Sequence, residues 1–157
     1  MTTYRSLVAA AFALAVLAFV LVLTQRHGSV AAIAADPVRT PGVLNPDVQQ
    51  ATIATTICVQ GWTRTVRPPT EYTNALKLRQ MRAYGEIGPP SAYQEDHLIS
   101  LELGGHPTDP RNLWPEPYPR AAQVDLIENE LNAQVCGGSL TLAQAQERES
   151  ALKHSKG

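Results

Sequence analysis

The twenty residues from Glu95 to Trp114 constrain the fold of this chain more than any other stretch. A period of two, typical of a strand that packs one face on a core, is formed by His97, Ile99, Leu101 and Leu103, which alternate with Leu98, Ser100 and Glu102. The alternation predicts that the side chains of Asp96 and His97 leave the strand on opposite faces. Gly104 and Gly105 follow, and glycine permits the positive φ that a reversal of the chain needs.

The residues after the glycines predict a return of the chain. Pro107, Asp109 and Pro110 favour a loop. A short second strand is expected over 112–114, ended by the prolines at 115, 117 and 119, and a helix is expected over 120–135. The predicted local order is therefore strand, loop, strand, helix.

This order, together with the Asp96-His97 pair and an asparagine fifteen residues after the histidine, resembles the HNH branch of the His-Me finger (ββα-metal) nucleases. The resemblance covers about Gln94 to Ala133. It implies a small α+β domain in which Asp96 binds a divalent metal, His97 is the general base and Asn112 holds the loop that aims the imidazole. A neutral imidazole can take a proton from water while a metal neutralises charge on the phosphate. The expected metal is Mg²⁺, with Mn²⁺, Ni²⁺ or Zn²⁺ as alternatives.

The chain departs from the family at the final metal ligand, a His or Asn whose position falls near Ala121. Gln123, Asp125 or Glu128 must substitute, or Asp96 and water alone hold the metal. We favour Asp125 and Glu128, the acids on one polar stripe of the predicted helix. The same stripe could simply be the solvated side of an amphipathic helix, whose apolar side would be formed by Val124, Ile127, Leu131 and Val135.

The chain has two cysteines, Cys58 and Cys136, and therefore lacks the paired C-x-x-C knuckles that bind zinc in many members of the family. In an oxidising compartment the two are expected to form a disulfide, which would replace that zinc staple. The alternative is two buried free thiols.

The N-terminal segment predicts export. Seventeen apolar residues run from Leu7 to Leu23, and Ala32-Ile33-Ala34 fits a cleavage site with small residues. Residues 1–35 are therefore interpreted as a signal peptide or, alternatively, a single transmembrane anchor, and either would place the rest of the chain outside the cytoplasm, secreted or attached to the membrane.

The remaining residues are enough for one small domain. The prolines and glycine over 36–50 predict an extended linker, and 51–153 form the predicted HNH-like domain. Within it, Thr52 to Val66 is rich in β-branched residues and predicts one or two strands. A helix is expected from Thr70 to Tyr84. A last helix should begin near Thr141 and continue into a Lys-rich tail that frays.

Charge gives a mixed indication about nucleic acid. From Asp36 onward, eleven Lys and Arg face fourteen Asp and Glu, which argues against tight nonspecific binding to phosphates. One basic segment is the candidate substrate surface, with DNA favoured over RNA, although a solvated helix face would have the same composition. Its residues are Arg64, Arg67, Lys77, Arg79 and Arg82.

Two functions compete on this sequence. The first is an exported metal-dependent endonuclease, and the second is a non-catalytic extracytoplasmic binding domain in which the absent helix ligand reflects lost chemistry. Without the motif, His97 would be interpreted as a hydrogen-bonded histidine at a core edge. His106 is expected to be an exposed turn residue, and Trp62 and Trp114 are expected to anchor the core. The sequence specifies no oligomeric state.

Overall fold

The computed structural model describes residues 34–155. The predicted signal peptide or anchor lies, except for its last two residues, outside the described residues. Four α-helices and two strands are present in this part of the chain: α1 (Trp62–Val66), α2 (Thr70–Tyr84), β1 (Tyr93–His97), β2 (Leu113–Pro117), α3 (Arg120–Cys136) and α4 (Leu142–Lys153). Among the described residues, no helix is both long and apolar enough to cross a membrane.

The two strands form an antiparallel sheet in which Asp96 pairs with Trp114 and His97 with Leu113. Helices α2 and α3 both contact this sheet. Because alternate side chains leave a strand on opposite faces, Glu95 lies on the side of α2, while Gln94 and Asp96 lie on the side of α3. The mixture of helices with a small antiparallel sheet agrees with the predicted α+β class.

The predicted strand from His97 to Leu103 is wrong beyond its first residue. β1 ends at His97, and Leu101–Leu103 form a 3-10 turn. The physical reason is that side chains bind the backbone here. The N–H of Ile99 donates to Asn112 Oδ1 at 3.0 Å, and the N–H of Ser100 donates to the Glu149 carboxylate at 3.0 Å. A partner strand is therefore not needed to satisfy these groups.

The second strand is longer than predicted, since it continues through Pro115 and Pro117. These residues are two apart, so both nitrogens lie on the edge of β2 that faces away from β1. A two-stranded sheet needs no donors on its outer edge, and proline is tolerated there.

The strands predicted within Thr52–Val66 are absent. Ile53–Thr55 form a 3-10 turn, and α1 follows at Trp62. The hydroxyls of Thr55 and Thr56 both donate to the carbonyl of Thr52. Such local bonds from threonine compete with strand pairing, which overrides the β propensity of this segment.

The segment 36–50, predicted as a linker, lies against the domain instead. Thr40 and Val48 are buried. Leu44 forms a bridge with Gly105, and the N–H of Ala35 donates to the carbonyl of Lys153 at 2.9 Å. The prolines keep this segment irregular, but its contacts make it part of the fold.

The three long helices follow the predicted pattern. α2 is followed by the cap residue Gly85, with φ of 71°, and α4 begins with a capping box formed by Thr141 and Gln144. On α3, Val124, Leu131 and Val135 are buried, whereas Ile127 is 37% exposed, so its predicted core position is wrong. The disulfide between Cys58 and Cys136 is confirmed, and it ties the segment before α1 to the end of α3.

The apolar core has two parts. The smaller part contains Trp114, which packs with Ala35, Leu98 and Tyr84. Trp62 packs against the larger part, so both tryptophans contribute to the core. The larger part consists of Val48, Ile57, Ile99, Leu103, Leu131, Val135, Leu142 and Ala145.

Candidate functional site

Three predicted metal ligands, Asp96, Asp125 and Glu128, meet between β1 and α3. Each offers a carboxylate oxygen, and these oxygens lie within 4.8 Å of one another. Asp125 and Glu128 are three residues apart and therefore share a side of α3. Gln94 Nε2 lies 3.4 Å from Asp96 Oδ1 and 3.3 Å from Asp125 Oδ1, so its amide bridges two of the carboxylates.

The other candidate for the last metal ligand, Gln123, lies elsewhere, as does Ala121 near the family's usual ligand position. Ala121 is completely buried and has no donor atom, and Gln123 is exposed on α3. The carboxylates instead border a small pocket of about 60 Å³, together with His97. Its lining residues are Arg67, Gln94, Asp96, His97, Ser100, Leu101, Glu102, Asp125 and Glu128.

The imidazole of His97 is held in one tautomer. Its Nε2 lies 3.0 Å from the carbonyl oxygen of Pro107. A carbonyl can only accept, so Nε2 carries the proton and Nδ1 retains a free lone pair. Burial lowers the pKa of His97, against the smaller effects of the Pro107 hydrogen bond and the Asp96 charge, which raise it. The ring is therefore neutral at pH 7, the form that a general base requires.

Asn112 holds the loop that bears this carbonyl. The side chain is fully buried, and its Nδ2 donates to the carbonyls of Ile99 and His106, both at 3.0 Å. Because His106 precedes Pro107, these bonds fix the backbone that binds the imidazole. Gly105 is required at this point, since a Cβ there would lie 1.7 Å from the oxygen of Ile99.

Lys153 is a site residue that sequence reasoning missed, because it was assigned to a fraying tail. It is completely buried. Its Nζ lies 2.7 Å from Asp96 Oδ2, and it also donates to Glu128 Oε1 and to the backbone carbonyl of His97. The ammonium therefore joins β1, α3 and α4. A local signal existed, since Leu142, Ala145, Glu149 and Lys153 follow helical spacing on the buried side of α4.

The charged groups around Lys153 shift one another's pKa values. Burial disfavours the ammonium, but Asp96, Glu149 and Glu128 raise the pKa of Lys153 well above its ordinary value. Burial likewise disfavours the Asp96 carboxylate, yet the neighbouring ammonium holds its pKa below the ordinary value. Burial raises the pKa of Glu128 and of Glu149.

Glu116 on β2 lies on the same face of the sheet as Asp96. Burial and the charge of Asp96 raise the pKa of Glu116 to about 8. Its Oε1 is 3.1 Å from Nε of Arg120. The guanidinium of Arg120 also donates to the backbone carbonyls of Leu152, in the last turn of α4, and of Ser155, just beyond it. The face of the sheet toward α3 therefore has more buried carboxyl groups than buried cations.

The five predicted substrate-binding residues do not form one surface at the pocket. Arg67 lines the pocket, and Arg64 is exposed on α1. Lys77 is half-buried and donates to the carbonyl of Tyr93, while Arg79 and Arg82 are exposed on α2.

His106 lies in the loop between the strands. Its Nδ1 accepts from the N–H groups of Thr108 and Asp109, at 3.3 and 3.0 Å. These bonds support its interpretation as a turn residue.

Comparisons of the chain with protein-family models, with curated proteins and with solved structures find no match.

Proposed function

We propose that this chain is a metal-dependent nuclease that hydrolyses phosphodiester bonds, with His97 as its general base. One observation carries the proposal: His97, whose Nε2 is held by the carbonyl of Pro107, lines the same small pocket as Asp96, Asp125 and Glu128. A base beside a group of acidic metal ligands is the arrangement that metal-assisted hydrolysis requires.

The donor atoms suit a hard divalent cation. Asp96, Asp125 and Glu128 offer only oxygen, which Mg²⁺ and Mn²⁺ prefer, whereas Zn²⁺ and Ni²⁺ are better matched by nitrogen or sulfur. When bound, the cation would neutralise charge on the phosphate oxygens and on the leaving oxygen.

The residues of the chain itself supply the remaining functions. Nδ1 of His97 accepts a proton from the attacking water, while the carbonyl of Pro107 keeps the proton on Nε2. Asn112 fixes the loop, and a misaimed base loses rate without being removed. Arg67, at the edge of the pocket, can pair with a phosphate of DNA or RNA, and DNA is the favoured substrate.

The location that we propose is outside the cytoplasm, either secreted or attached to a membrane by residues 1–35. The disulfide between Cys58 and Cys136 supports this location, because such bonds persist in oxidising compartments.

A second candidate function is a non-catalytic binding domain, which two observations favour. The usual helix ligand is replaced by the buried Ala121, and the ammonium of Lys153 already neutralises part of the acidic group. In this alternative the acidic face only stabilises the fold, and no cation binds.

Cleavage assays test the two functions. The full-length chain would be incubated with plasmid DNA and with RNA, in the presence and absence of Mg²⁺ or Mn²⁺. His97→Ala should lower the rate by roughly 10² to 10⁴, the usual contribution of general-base catalysis. Glu147→Ala, at an exposed position of α4, is the control and should retain most of the activity. A folded wild-type protein that cleaves neither substrate with either metal would favour the binding domain.

A further inference from the structure

Lys153 bonds one oxygen of each of two predicted metal ligands. Its ammonium bonds Oδ2 of Asp96 and Oε1 of Glu128. The other oxygen of Asp96, Oδ1, lies toward Gln94 and Asp125, at the pocket. The ammonium thus holds one oxygen of each of these two carboxylates.

The position of Lys153 is fixed from several directions. Glu149, one turn earlier on α4, lies 3.4 Å from Nζ and also accepts from the N–H of Ser100. The carbonyl of His97 accepts from the ammonium. At the backbone, the carbonyl of Lys153 accepts from Ala35. These contacts leave the completely buried side chain little freedom to move, which distinguishes it from a mobile surface lysine.

We propose that Lys153 is a positioning residue for the divalent cation, because its ammonium holds Asp96 and Glu128 together at the pocket beside Asp125. The inference rests on the cation site of the proposed function. Groups that orient metal ligands from behind typically contribute 10- to 100-fold to metal affinity.

A competing role predicts the opposite sign. If the ammonium only occupies the place of a metal, its removal would free negative charge and tighten cation binding. If it positions the ligands, its removal weakens binding although a positive charge is lost. The direction of the change therefore decides between the two roles.

The test measures Mn²⁺ binding to the full-length chain by titration calorimetry. Glu149→Gln is the control, because it alters a neighbour of Lys153 that lies outside the group of three ligands. The double variant Lys153→Met with Glu149→Gln removes one charge of each sign, which limits the loss of stability. Relative to the control, we expect the double variant to bind Mn²⁺ about 10- to 100-fold more weakly. Unchanged or tighter binding would overturn the proposal.

A second measurement uses the unaltered chain and does not depend on whether a variant folds. The ammonium resonance of Lys153, detected by NMR, should shift and remain visible when Mg²⁺ is added. Its loss through release to solvent would identify Lys153 as a competitor of the metal and overturn the positioning role.

The outcomes also separate this inference from the proposed function. Cation binding that depends on Lys153, without cleavage of any nucleic acid, would retain the inference and reject the nuclease. Cleavage with cation binding that is indifferent to Lys153 would do the reverse. A wild-type chain that binds no Mn²⁺ would reject the positioning role directly.

Discussion

Glu95 and Asp96 are neighbours on β1, yet the pKa values of their carboxyl groups shift in opposite directions on the two faces of the sheet. On the face toward α3, the pKa of Asp96 stays low despite burial, because the ammonium of Lys153 is 2.7 Å away. On the face toward α2, burial raises the pKa of Glu95 to about 8, and neither of its oxygens has a hydrogen-bond partner within residues 34–155. Burial alone therefore does not decide the ionisation of these two neighbours, since the ammonium beside Asp96 offsets its burial and Glu95 has no such partner.

The two carboxyl groups differ in how close their cations lie. Lys77 and Arg79 on α2 lower the pKa of Glu95 only slightly against burial, and Lys77 is engaged with the carbonyl of Tyr93. Lys153 contacts its carboxylates directly. Asp96 is thus held ionised beside Lys153, while the carboxyl group of Glu95 on the opposite face stays protonated at neutral pH.

Removing Lys153 should have the largest effect on stability. Lys153→Ala leaves buried carboxylates without their cation, and breaking a buried ion pair in this way typically costs about 3 to 5 kcal/mol. Lys77→Ala, on the other face, should cost about 1 kcal/mol, the usual net contribution of one hydrogen bond. Denaturant unfolding at neutral pH measures both. Equal losses would contradict the contrast between the faces.

Glu95 should make the fold less stable as pH rises. Its pKa in the folded chain is about 8, raised from 4.5. Between these values the unfolded chain loses the proton and the folded chain keeps it, so the free energy of unfolding falls from pH 4.5 and levels off above pH 8. Glu95→Gln removes this loss and should stabilise the fold at pH 7.5, relative to its effect at pH 4.5, by on the order of 2 kcal/mol.

Thermal unfolding between pH 4.5 and 8.5 tests the prediction for Glu95. Glu71→Gln, which removes an exposed carboxylate from α2, controls for the loss of one negative charge. Parallel pH curves for wild type and Glu95→Gln would show that the pKa of Glu95 is not raised in the folded chain, contrary to the prediction.

The smallest expected effect concerns Arg67 and Arg82. Arg67 lines the pocket, whereas Arg82 is exposed in the last turn of α2. Arg67→Ala should weaken binding of a DNA oligonucleotide several-fold. It should also lower the slope of log binding constant against log salt concentration by about one, as expected for one lost phosphate contact. Arg82→Ala should change neither. Fluorescence anisotropy at several salt concentrations measures both quantities, and a larger effect of Arg82 would place the nucleic acid on α2.

The parts of the fold that could be predicted are those set by short-range patterns. The spacing of Val124, Leu131 and Val135 identified α3, and the Thr141 capping box located the start of α4. The same helical spacing brought Asp125 and Glu128 together beside Asp96. The disulfide followed from two cysteines in one exported domain. Each inference needed only residues within a few turns or a single pair.

Three of the errors share a different cause, which is bonding between distant parts of the chain. The strand ends at His97 because Ser100 binds Glu149, 49 residues later. The segment 36–50 is folded because distant residues pair with it, such as Gly105 with Leu44. Lys153 became a central residue because acids from β1 and α3 surround it. A local window of sequence does not contain these partners, so its propensities predict the wrong state.

The dependence of the site on α4 has a consequence for biosynthesis. Synthesis runs from the N-terminus, so His97 and the carboxylates up to Glu128 are made before Lys153. A nascent chain that ends before α4 has the base and the acids but no ammonium to order them. Under the proposed function, such a nascent chain would bind the cation about 10- to 100-fold more weakly, which would limit damage to nucleic acid in the cell that makes it.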